Sequence, residues 1–261
     1  MDAMATAPAV DFGRAASDYA RYRHGFPPSL FERLRERGLG IPGQRILDIG
    51  TGTGSLARGF ARAGSVVTGL DISPLLLEQA RALDREEDLR IEYRVARAEA
   101  TGFGDGQFDL VCAGQCWHWF ERARAVTEVH RLLRPGGQVL IAHFDWLPLP
   151  GNVVAATETL ILKHNPAWHL AGTSGIYPRW FADLGSGGFT ALESFSYDET
   201  VMYSRDSWRG RIGASAGVAA TLTPERVALF DAEHAQLLER GFPHEPLMVP
   251  HRVFALIGTR A

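Results

Sequence analysis

Three alternate glycines follow an apolar run near the start of the chain, and their spacing could bring a backbone close to a ligand. Gly50, Gly52 and Gly54 come directly after the run Arg45–Ile49, which contains a single acid, Asp48. Glycine permits close approach of the backbone, and a helix that begins beside such a loop offers N–H groups to a polar ligand. The run, the glycines and the segment 55–63 predict a strand, a turn and a helix, which open a βαβ unit.

A second acid stands where the next β-branched run ends. Asp71 follows residues 65–70, and an acid at the end of the second strand can accept hydrogen bonds from both ribose hydroxyls of an adenosine. The dinucleotide fingerprint needs a third glycine or alanine three residues after the second, where this chain has Ser55. A P-loop is excluded because no Gly-Lys-Ser/Thr follows the glycines. The spacing therefore predicts an adenosine-containing cofactor, with a nicotinamide-dependent oxidoreductase as a distant alternative.

The elements that would hold these residues alternate between strand and helix. Apolar runs predict strands at 45–49, 65–70, 91–95, 108–113, 138–144, 190–201 and 253–258, with a turn at 134–137. Helical patterns fall at 30–34, 55–63, 74–83, 123–133, 208–220 and 224–240. This order predicts an α/β, Rossmann-like fold with a mostly parallel seven-stranded sheet and helices on both faces. Residues 146–188 break the rhythm and are interpreted as an insertion after strand five that covers the ligand edge.

A single domain over residues 1–261 is expected, with a core at 11–145, the insertion at 146–188 and completing elements at 189–261. Of the 261 residues 46% are hydrophobic, and 27 Lys and Arg against 30 Asp and Glu give a net charge of -3, which argues against a nucleic-acid partner. The two cysteines, Cys112 and Cys116, share one apolar stretch, and no window is apolar enough for a bilayer. We therefore expect a cytoplasmic monomer or homodimer without a metal or a membrane partner.

The run Asp48-Ile-Gly-Thr-Gly-Thr-Gly54 resembles the first motif of class I S-adenosylmethionine-dependent methyltransferases. Four further stretches resemble segments of the type 11 group, which includes small-molecule methyltransferases of the ubiquinone, biotin and trans-aconitate kinds. They are Asp71-Ile-Ser-Pro74, Ala96-Arg-Ala-Glu-Ala100 with Phe103, Asp105 and Phe108-Asp109, Gly114-Gln-Cys-Trp-His-Trp-Phe120, and Arg131-Leu-Leu-Arg-Pro-Gly-Gly137. The resemblance covers residues 11–145 and extends beyond them only by topology.

This resemblance implies the class I methyltransferase fold and S-adenosyl-L-methionine as cofactor, with S-adenosyl-L-homocysteine as product. The residues implied to line the methionine half are Asp48, Gly50, Gly52 and Gly54. Asp71 would hold the ribose, Ile72 would pack on the adenine, Ala98 and Glu99 would face its polar edge, and Gln115 would lie beneath the sulfonium. The segment Asp18-Tyr-Ala-Arg-Tyr-Arg23 resembles a lid over the cofactor, which makes Tyr19 and Arg23 candidate lid residues.

Methyl transfer from a sulfonium is an in-line displacement, so the protein mainly aligns the acceptor and excludes water. His118 follows strand four at the ligand edge and is the first candidate for a base, should the acceptor have to lose a proton. The residues expected to wall a flat or aromatic acceptor are Trp117, Trp119, His143, Asp145, Trp146, Trp168, His169, Tyr177 and Trp180.

The resemblance therefore implies methyl transfer to an O, N or activated C atom of a small molecule, with a secondary metabolite as one candidate. An RNA or protein methyltransferase is the alternative. Methylation of a nucleobase needs a flipped base in a pocket, and the Asn/Asp-Pro-Pro-aromatic signature associated with that chemistry is absent from the chain. A module that binds the cofactor without catalysis stays open.

Overall fold

The computed structural model describes residues 25–261, and the apolar runs within them form one seven-stranded sheet. The strands are β1 (Arg45–Ile49), β2 (Val66–Asp71), β3 (Glu92–Val95), β4 (Phe108–Gly114), β5 (Leu133–Trp146), β6 (Phe189–Tyr203) and β7 (Leu247–Arg260). The helices are α1 (Pro28–Arg35), α2 (Ser55–Arg62), α3 (Pro74–Glu86), α4 (Arg122–Leu132), α5 (Val153–His164), α6 (Arg179–Ser186), α7 (Arg205–Gly213) and α8 (Pro224–Gly241), with a 3-10 turn at Trp117–Trp119.

The strand order is β3-β2-β1-β4-β5-β7-β6. Strands β1 to β5 pair in parallel, and β7 runs antiparallel to β5. Four successive residues of β1, 46–49, are buried, which shows that both faces of the sheet are covered at its centre. The chain winds outward in opposite directions from the β1–β4 pair, and a crevice at such a switch point is where open α/β sheets bind ligands. The predicted α/β fold with a mostly parallel seven-stranded sheet is confirmed.

Local signals explain where the helices beside this crevice begin. Gly54 precedes α2 with a φ of 80°, a left-handed conformation that glycine adopts without strain. Ser73 caps α3, because its hydroxyl accepts a hydrogen bond from the Leu76 N–H at 3.4 Å, and Pro74 opens the helix. Both helices therefore start at the carboxyl edge of the sheet, next to β1 and β2.

Two expectations about the elements are wrong in detail, and a third segment contains helices that its sequence pattern does not show. The turn predicted at 134–137 belongs to β5, where the register against β4 shifts between Phe108 and Leu110. The helix predicted at 208–220 begins earlier and ends at Gly213. Residues 146–188, which show no clean period, contain α5 and α6. The buried positions of α5 lie on one side of the helix, but they include the polar residues Thr157, Glu158 and His164, so the sequence shows no continuous apolar stripe.

The described residues divide into two units. The sheet unit comprises 25–146, 174–199 and 250–261, and the helical unit comprises 147–173 and 200–249. Inside the helical unit α5 packs against α8, and Trp208 Nε1 donates to Thr157 Oγ1 at 3.1 Å. His234 lies against the same hydroxyl, with 3.2 Å between Nε2 and Oγ1. The prediction of a single domain stays a prediction. Among residues 25–261, no helix has the length and apolar character needed to cross a bilayer.

Candidate functional site

The glycine loop lies at the carboxyl end of β1, where backbone hydrogen bonds hold its shape. The Thr51 N–H donates to the carbonyl of Leu70 at 2.8 Å, which ties the loop to the end of β2. The Gly54 N–H donates to the carbonyl of Thr51 at 2.9 Å, which closes a tight turn before α2. Gly50, Gly52 and Gly54 all have positive φ angles. The loop thus needs glycine for its backbone conformation at all three positions.

The three glycines differ in what a side chain would meet. A Cβ on Gly50 would lie 2.9 Å from the Cys116 sulfur, and one on Gly54 would lie 2.6 Å from the Tyr93 hydroxyl. A Cβ on Gly52 would meet no atom within 4 Å. Packing therefore requires glycine at the two outer positions, whereas Gly52 presents an open backbone surface that a ligand can approach.

Asp48 is buried at the centre of the sheet, beneath the loop. Its carboxylate accepts hydrogen bonds from Thr51 Oγ1 at 2.6 Å and from Cys112 Sγ at 3.5 Å. Burial raises the pKa of Asp48 to about 7, although both hydrogen bonds act in the opposite direction. A carboxyl group with such a pKa can lose its proton near neutral pH when a cation approaches.

Asp71 connects the loop to the start of α3. Its two carboxylate oxygens accept hydrogen bonds from the Gly52 N–H and the Ser73 N–H, each at 2.9 Å. Burial raises the pKa of Asp71 above its ordinary value, and the backbone N–H groups lower it. Each oxygen can accept one more hydrogen bond, which is the pattern that two adjacent ribose hydroxyls require. The next residue, Ile72, exposes 67% of its surface, although it is apolar.

The predicted adenine edge has a different character. Ala98 is buried in the main apolar cluster of the sheet unit. The Glu99 carboxylate accepts a hydrogen bond from the Glu121 N–H at 2.9 Å and lies 3.6 Å from Arg97 Nε. Glu99 thus binds the residue that precedes α4, and its contact with an adenine stays a prediction.

The segment after β4 turns back toward β5. Gln115 has a positive φ of 61°, which is uncommon outside glycine and is associated with functional turns. Its N–H donates to Ala142 O at 2.9 Å, and its side-chain amide donates to Phe144 O. Both contacts hold the end of β4 beside the end of β5. The position of Gln115 relative to a sulfonium stays a prediction.

His118 and its two tryptophan neighbours have different environments. Trp117 is fully buried and donates from Nε1 to Asp183 Oδ2 at 3.2 Å, so it serves the core of the sheet unit. Trp119 is partly exposed, with its ring 4.5 Å from the ring of half-buried His118. The centroid of His118 lies 5.5 Å from that of His143 on β5, so the two histidines lie close together across the ends of these strands.

Around His143 the structure assembles an aromatic and acidic cluster. Asp145 Oδ2 accepts a hydrogen bond from the Tyr177 hydroxyl at 2.6 Å and lies 3.3 Å from His143 Nδ1. Tyr177 stacks on Trp180, with centroids 3.9 Å apart and planes 3° apart, and both rings lie within 5 Å of the His143 ring. His143 is 1% exposed, and among the described residues its Nε2 has no hydrogen-bond partner. Four of the residues predicted to contact the acceptor therefore form one connected cluster.

The remaining predicted residues are dispersed. Trp146 ends β5 and pairs in register with His251 of β7. Trp168 is buried in the helical unit, where a Cβ on Gly217 would lie 3.1 Å from its ring, so it contributes to the core of that unit. His169 is exposed in the same unit. Tyr19 and Arg23 lie outside the described residues.

Sequence reasoning missed a polar group beneath the loop. Arg58, Asp84 and Tyr93 come from α2, α3 and β3 and meet next to Gly54. Their common signal is that each polar side chain stands in an otherwise apolar packing position. Nothing in their spacing along the chain connects them.

Comparison with known proteins finds a family that is similar to the central part of the chain. A family described as "Methyltransferase domain" matches residues 47–141. Residues 47–141 are thus similar to a methyltransferase domain. This stretch contains the glycine loop, Asp71 and the Gln115–His118 turn, so the family match and the site geometry fall on the same elements.

Curated relatives match about half of the chain. An uncharacterized methyltransferase of Mycobacterium tuberculosis is 36% identical over 131 residues, which are 50% of this chain and 50% of the relative. A ubiquinone biosynthesis O-methyltransferase of Pseudomonas aeruginosa is 36% identical over 127 residues, or 48% of this chain and 54% of the relative. The chain thus spans about half the length of the curated relatives it matches.

Solved structures share the fold over most of the chain. The YcgJ protein from Bacillus subtilis has a TM-score of 0.59 at 20% identity and covers 88% of this chain and 97% of its own. Another similar structure is that of phosphoethanolamine N-methyltransferase 2 of Haemonchus contortus in complex with phosphomonomethylethanolamine and S-adenosylhomocysteine. Its TM-score is 0.54 at 21% identity, and the match covers 93% of this chain and 56% of that chain. The architecture of the chain is therefore the Rossmann-like class I methyltransferase fold.

Proposed function

We propose that this protein is an S-adenosylmethionine-dependent methyltransferase that acts on a small molecule. The observation that carries the proposal is the arrangement of Asp71 at the end of β2. Its carboxylate fixes the Gly52 N–H at 2.9 Å while the open backbone surface of Gly52 lies beside it. A nucleoside cofactor needs both features at the switch point of the sheet, an acceptor pair for the ribose and an approachable backbone.

The cofactor would supply a methyl group on a positively charged sulfur, and the chain would supply the binding groups. Asp71 would accept the ribose hydroxyls, and exposed Ile72 would cover one adenine face. Asp48, Gly50, Gly52 and Gly54 would line the methionine half, with Asp48 acting through Thr51. Gln115 would lie near the sulfonium, and Ala98 and Glu99 would border the adenine. The family match at residues 47–141 supports this arrangement.

The acceptor would bind where β4 and β5 end. Asp145 accepts the Tyr177 hydroxyl, and when it also accepts a hydrogen from His143 Nδ1, the basic nitrogen of that ring is Nε2. His118 lies next to this ring and is half-buried, so it can contact an acceptor that reaches the strand ends. We propose His118 as the base and His143 with Asp145 as the group that stabilises its protonated form. An acceptor hydroxyl or amine that must lose a proton fits this arrangement.

Further parts of the proposal rest on the sequence. We propose that residues 146–188 cover the acceptor, with Trp119, Trp146 and Trp180 as aromatic wall residues. We place the protein in the cytoplasm, because Cys112 and Cys116 are free thiols and fit a reducing compartment. The predicted monomer or homodimer stays a prediction.

The test is a direct comparison of cofactors and acceptors. Calorimetry should show saturable binding of S-adenosylhomocysteine to the wild-type chain and no binding of NAD. Radiolabelled S-adenosylmethionine should then transfer its methyl group to members of a small-molecule hydroxyl and amine panel. Binding of NAD in place of S-adenosylhomocysteine would refute the assignment, and transfer only to RNA or to protein would replace the small-molecule acceptor by those classes.

A further inference from the structure

A buried cation lies beneath the glycine loop. Arg58 belongs to α2, one turn after Gly54, and only 8% of its surface is exposed. Its Nη1 donates a hydrogen bond to the carbonyl oxygen of Thr53 at 2.6 Å. The same nitrogen lies 3.5 Å from Asp84 Oδ1, and Nε lies 3.5 Å from Glu87 Oε1. The guanidinium therefore reaches back from α2 to the loop and is neutralised from α3.

Tyr93 completes this group from β3. Its hydroxyl donates to Asp84 Oδ1 at 3.3 Å, and its ring packs against Ala80 and Leu77 of α3. A Cβ on Gly54 would lie 2.6 Å from the Tyr93 hydroxyl and 2.9 Å from Arg58 Nη1. We call Arg58, Asp84 and Tyr93 the loop support, because the three side chains meet directly under the Thr53–Gly54 peptide.

The loop support contributes little to the stability of the fold by itself. A cation at the first turn of a helix is unfavourable next to the positive end of the helix dipole. Moving a guanidinium and a carboxylate out of water also costs free energy, and apolar residues of similar volume often stabilise a protein at least as well as a buried ion pair. The arrangement therefore calls for a role other than core packing.

That role is visible in the hydrogen bonds of one peptide group. The Thr53 carbonyl accepts from Arg58, and the N–H of the same peptide, on Gly54, donates to the Thr51 carbonyl at 2.9 Å. Both polar ends of the Thr53–Gly54 peptide are thus held, and rotation of this peptide would break both bonds. A hydrogen bond from a charged donor is worth more than a neutral one, so Arg58 supplies the stronger restraint.

We propose that Arg58 is a positioning residue for cofactor binding, which holds the Thr53–Gly54 peptide in the orientation that the cofactor requires while Asp84 and Tyr93 orient its guanidinium. This inference rests on the proposed function. It adds residues of α2, α3 and β3 to a site that the sequence located only in the loop and at Asp71.

The test compares two arginines of the same helix. Arg58→Met removes the donors and the charge, and Arg62→Met is the matched control, because Arg62 lies one turn later and forms its ion pair with Glu87 at the surface, 54% exposed. Calorimetric Kd values for S-adenosylhomocysteine, measured well below each variant's Tm, should rise about tenfold or more in Arg58→Met and stay within about twofold in Arg62→Met. Arg58→Lys should recover part of the affinity, since an ammonium can still donate to one acceptor.

A second readout needs no ligand. Hydrogen exchange of the loop amides at residues 52–54 should be faster in the Arg58→Met protein than in the Arg62→Met protein. Should Arg58→Met fail to fold, Asp84→Asn, which keeps the shape and removes the charge, should show both effects in weaker form. Folded variants whose loop exchange and Kd equal the wild-type values would overturn the inference. Faster loop exchange together with a wild-type chain that binds no S-adenosylhomocysteine would instead overturn the proposed function.

Discussion

At the scale of single residues, Asp71 makes contacts with the backbone and also faces the proposed ligand, and the sequence motif does not distinguish these two roles. It holds the glycine loop and the start of α3 through two backbone N–H groups, and it faces the position proposed for the ribose. A substitution therefore acts on the ligand and on the loop together. Asp71→Asn retains one acceptor oxygen and replaces the other by a donor, so it preserves half of the backbone contacts.

We expect Asp71→Ala to weaken S-adenosylhomocysteine binding by about 1.5 to 3 kcal/mol, because buried donors lose a charged acceptor. Asp71→Asn should lose less. Isothermal titration of the wild type and both variants measures the difference. The control is Asp105→Ala, which removes an exposed carboxylate paired with Arg131 and should leave the Kd unchanged. Equal affinity in Asp71→Ala and the wild type would remove Asp71 from the cofactor site.

Gly52 allows a sharper test at the same scale. We expect Gly52→Val to abolish binding of S-adenosylhomocysteine while the sheet stays formed, because its side chain would occupy the open surface of the loop. The positive φ of Gly52 adds a strain of about 1 to 3 kcal/mol. Gly43→Val is the matched control, since Gly43 also has a positive φ and no atom lies within 4 Å of its Cβ position.

Circular dichroism should show that both glycine variants are folded before their affinities are compared. Gly43→Val should bind like the wild type, although it carries similar strain. A folded Gly52→Val protein with normal affinity would show that the ligand approaches the chain elsewhere.

At the scale of elements, α2 owes its position to a glycine in its middle. A Cβ on Gly59 would lie 2.0 Å from the Phe31 ring, which packs edge-on against Phe60 with centroids 5.4 Å apart. Glycine in a helix is normally destabilising relative to alanine. Here the contact between α1 and α2 requires it, and α2 in turn carries the loop and Arg58.

We expect Gly59→Ala to lower the free energy of unfolding by about 1 to 2 kcal/mol, because Phe31 must leave its contact with α2. Gly185→Ala in α6 should raise it by about 0.5 to 1 kcal/mol, since nothing lies within 4 Å of that Cβ position. Urea denaturation of the three proteins gives both differences. A Gly59→Ala protein as stable as Gly185→Ala would contradict the packing argument.

At the scale of the whole molecule, two buried titratable groups give stability opposite pH dependences. Burial lowers the pKa of His234 to about 4. Of the neighbouring charges, Asp231 acts to raise this pKa and Arg209 acts to lower it. The folded chain therefore binds fewer protons than the unfolded chain between the two pKa values, and stability falls as the pH drops from 6.5 toward 4. Asp48, with its pKa raised to about 7, contributes stability at low pH that is lost as the pH rises through 7.

We expect the wild-type chain to lose about 3 kcal/mol of stability through His234 alone across that acid range. The measurement is urea denaturation at pH 7.5, 6.5, 5.5 and 4.5 for the wild type and His234→Gln, since the difference between the two cancels the contribution of Asp48. His244→Gln, which changes an exposed histidine of the same unit, should follow the wild type. Parallel pH profiles for the wild type and His234→Gln would show that folding does not lower the pKa of His234.

The sequence by itself determined the features that are local in the chain. The glycine loop, Asp48 and Asp71 lie next to strand ends that their own neighbours define, so motif and element could be read together. The alternation of apolar runs and helical patterns was sufficient for the strands of the parallel sheet. It was insufficient for α5, because the buried face of this helix includes the polar residues Thr157, Glu158 and His164 and therefore shows no continuous apolar period.

Tertiary structure alone decided which distant residues meet. Arg58, Asp84 and Tyr93 come together because the order β3-β2-β1 brings α2, α3 and β3 under one loop. Asp145 and His143 of β5 gain Tyr177 and Trp180 only when the chain returns after 30 residues or more. Likewise, Gly59 is needed only because Phe31 of another helix packs on it. Such contacts depend on strand order and side-chain packing between elements, which act through space and leave no periodic trace in the sequence.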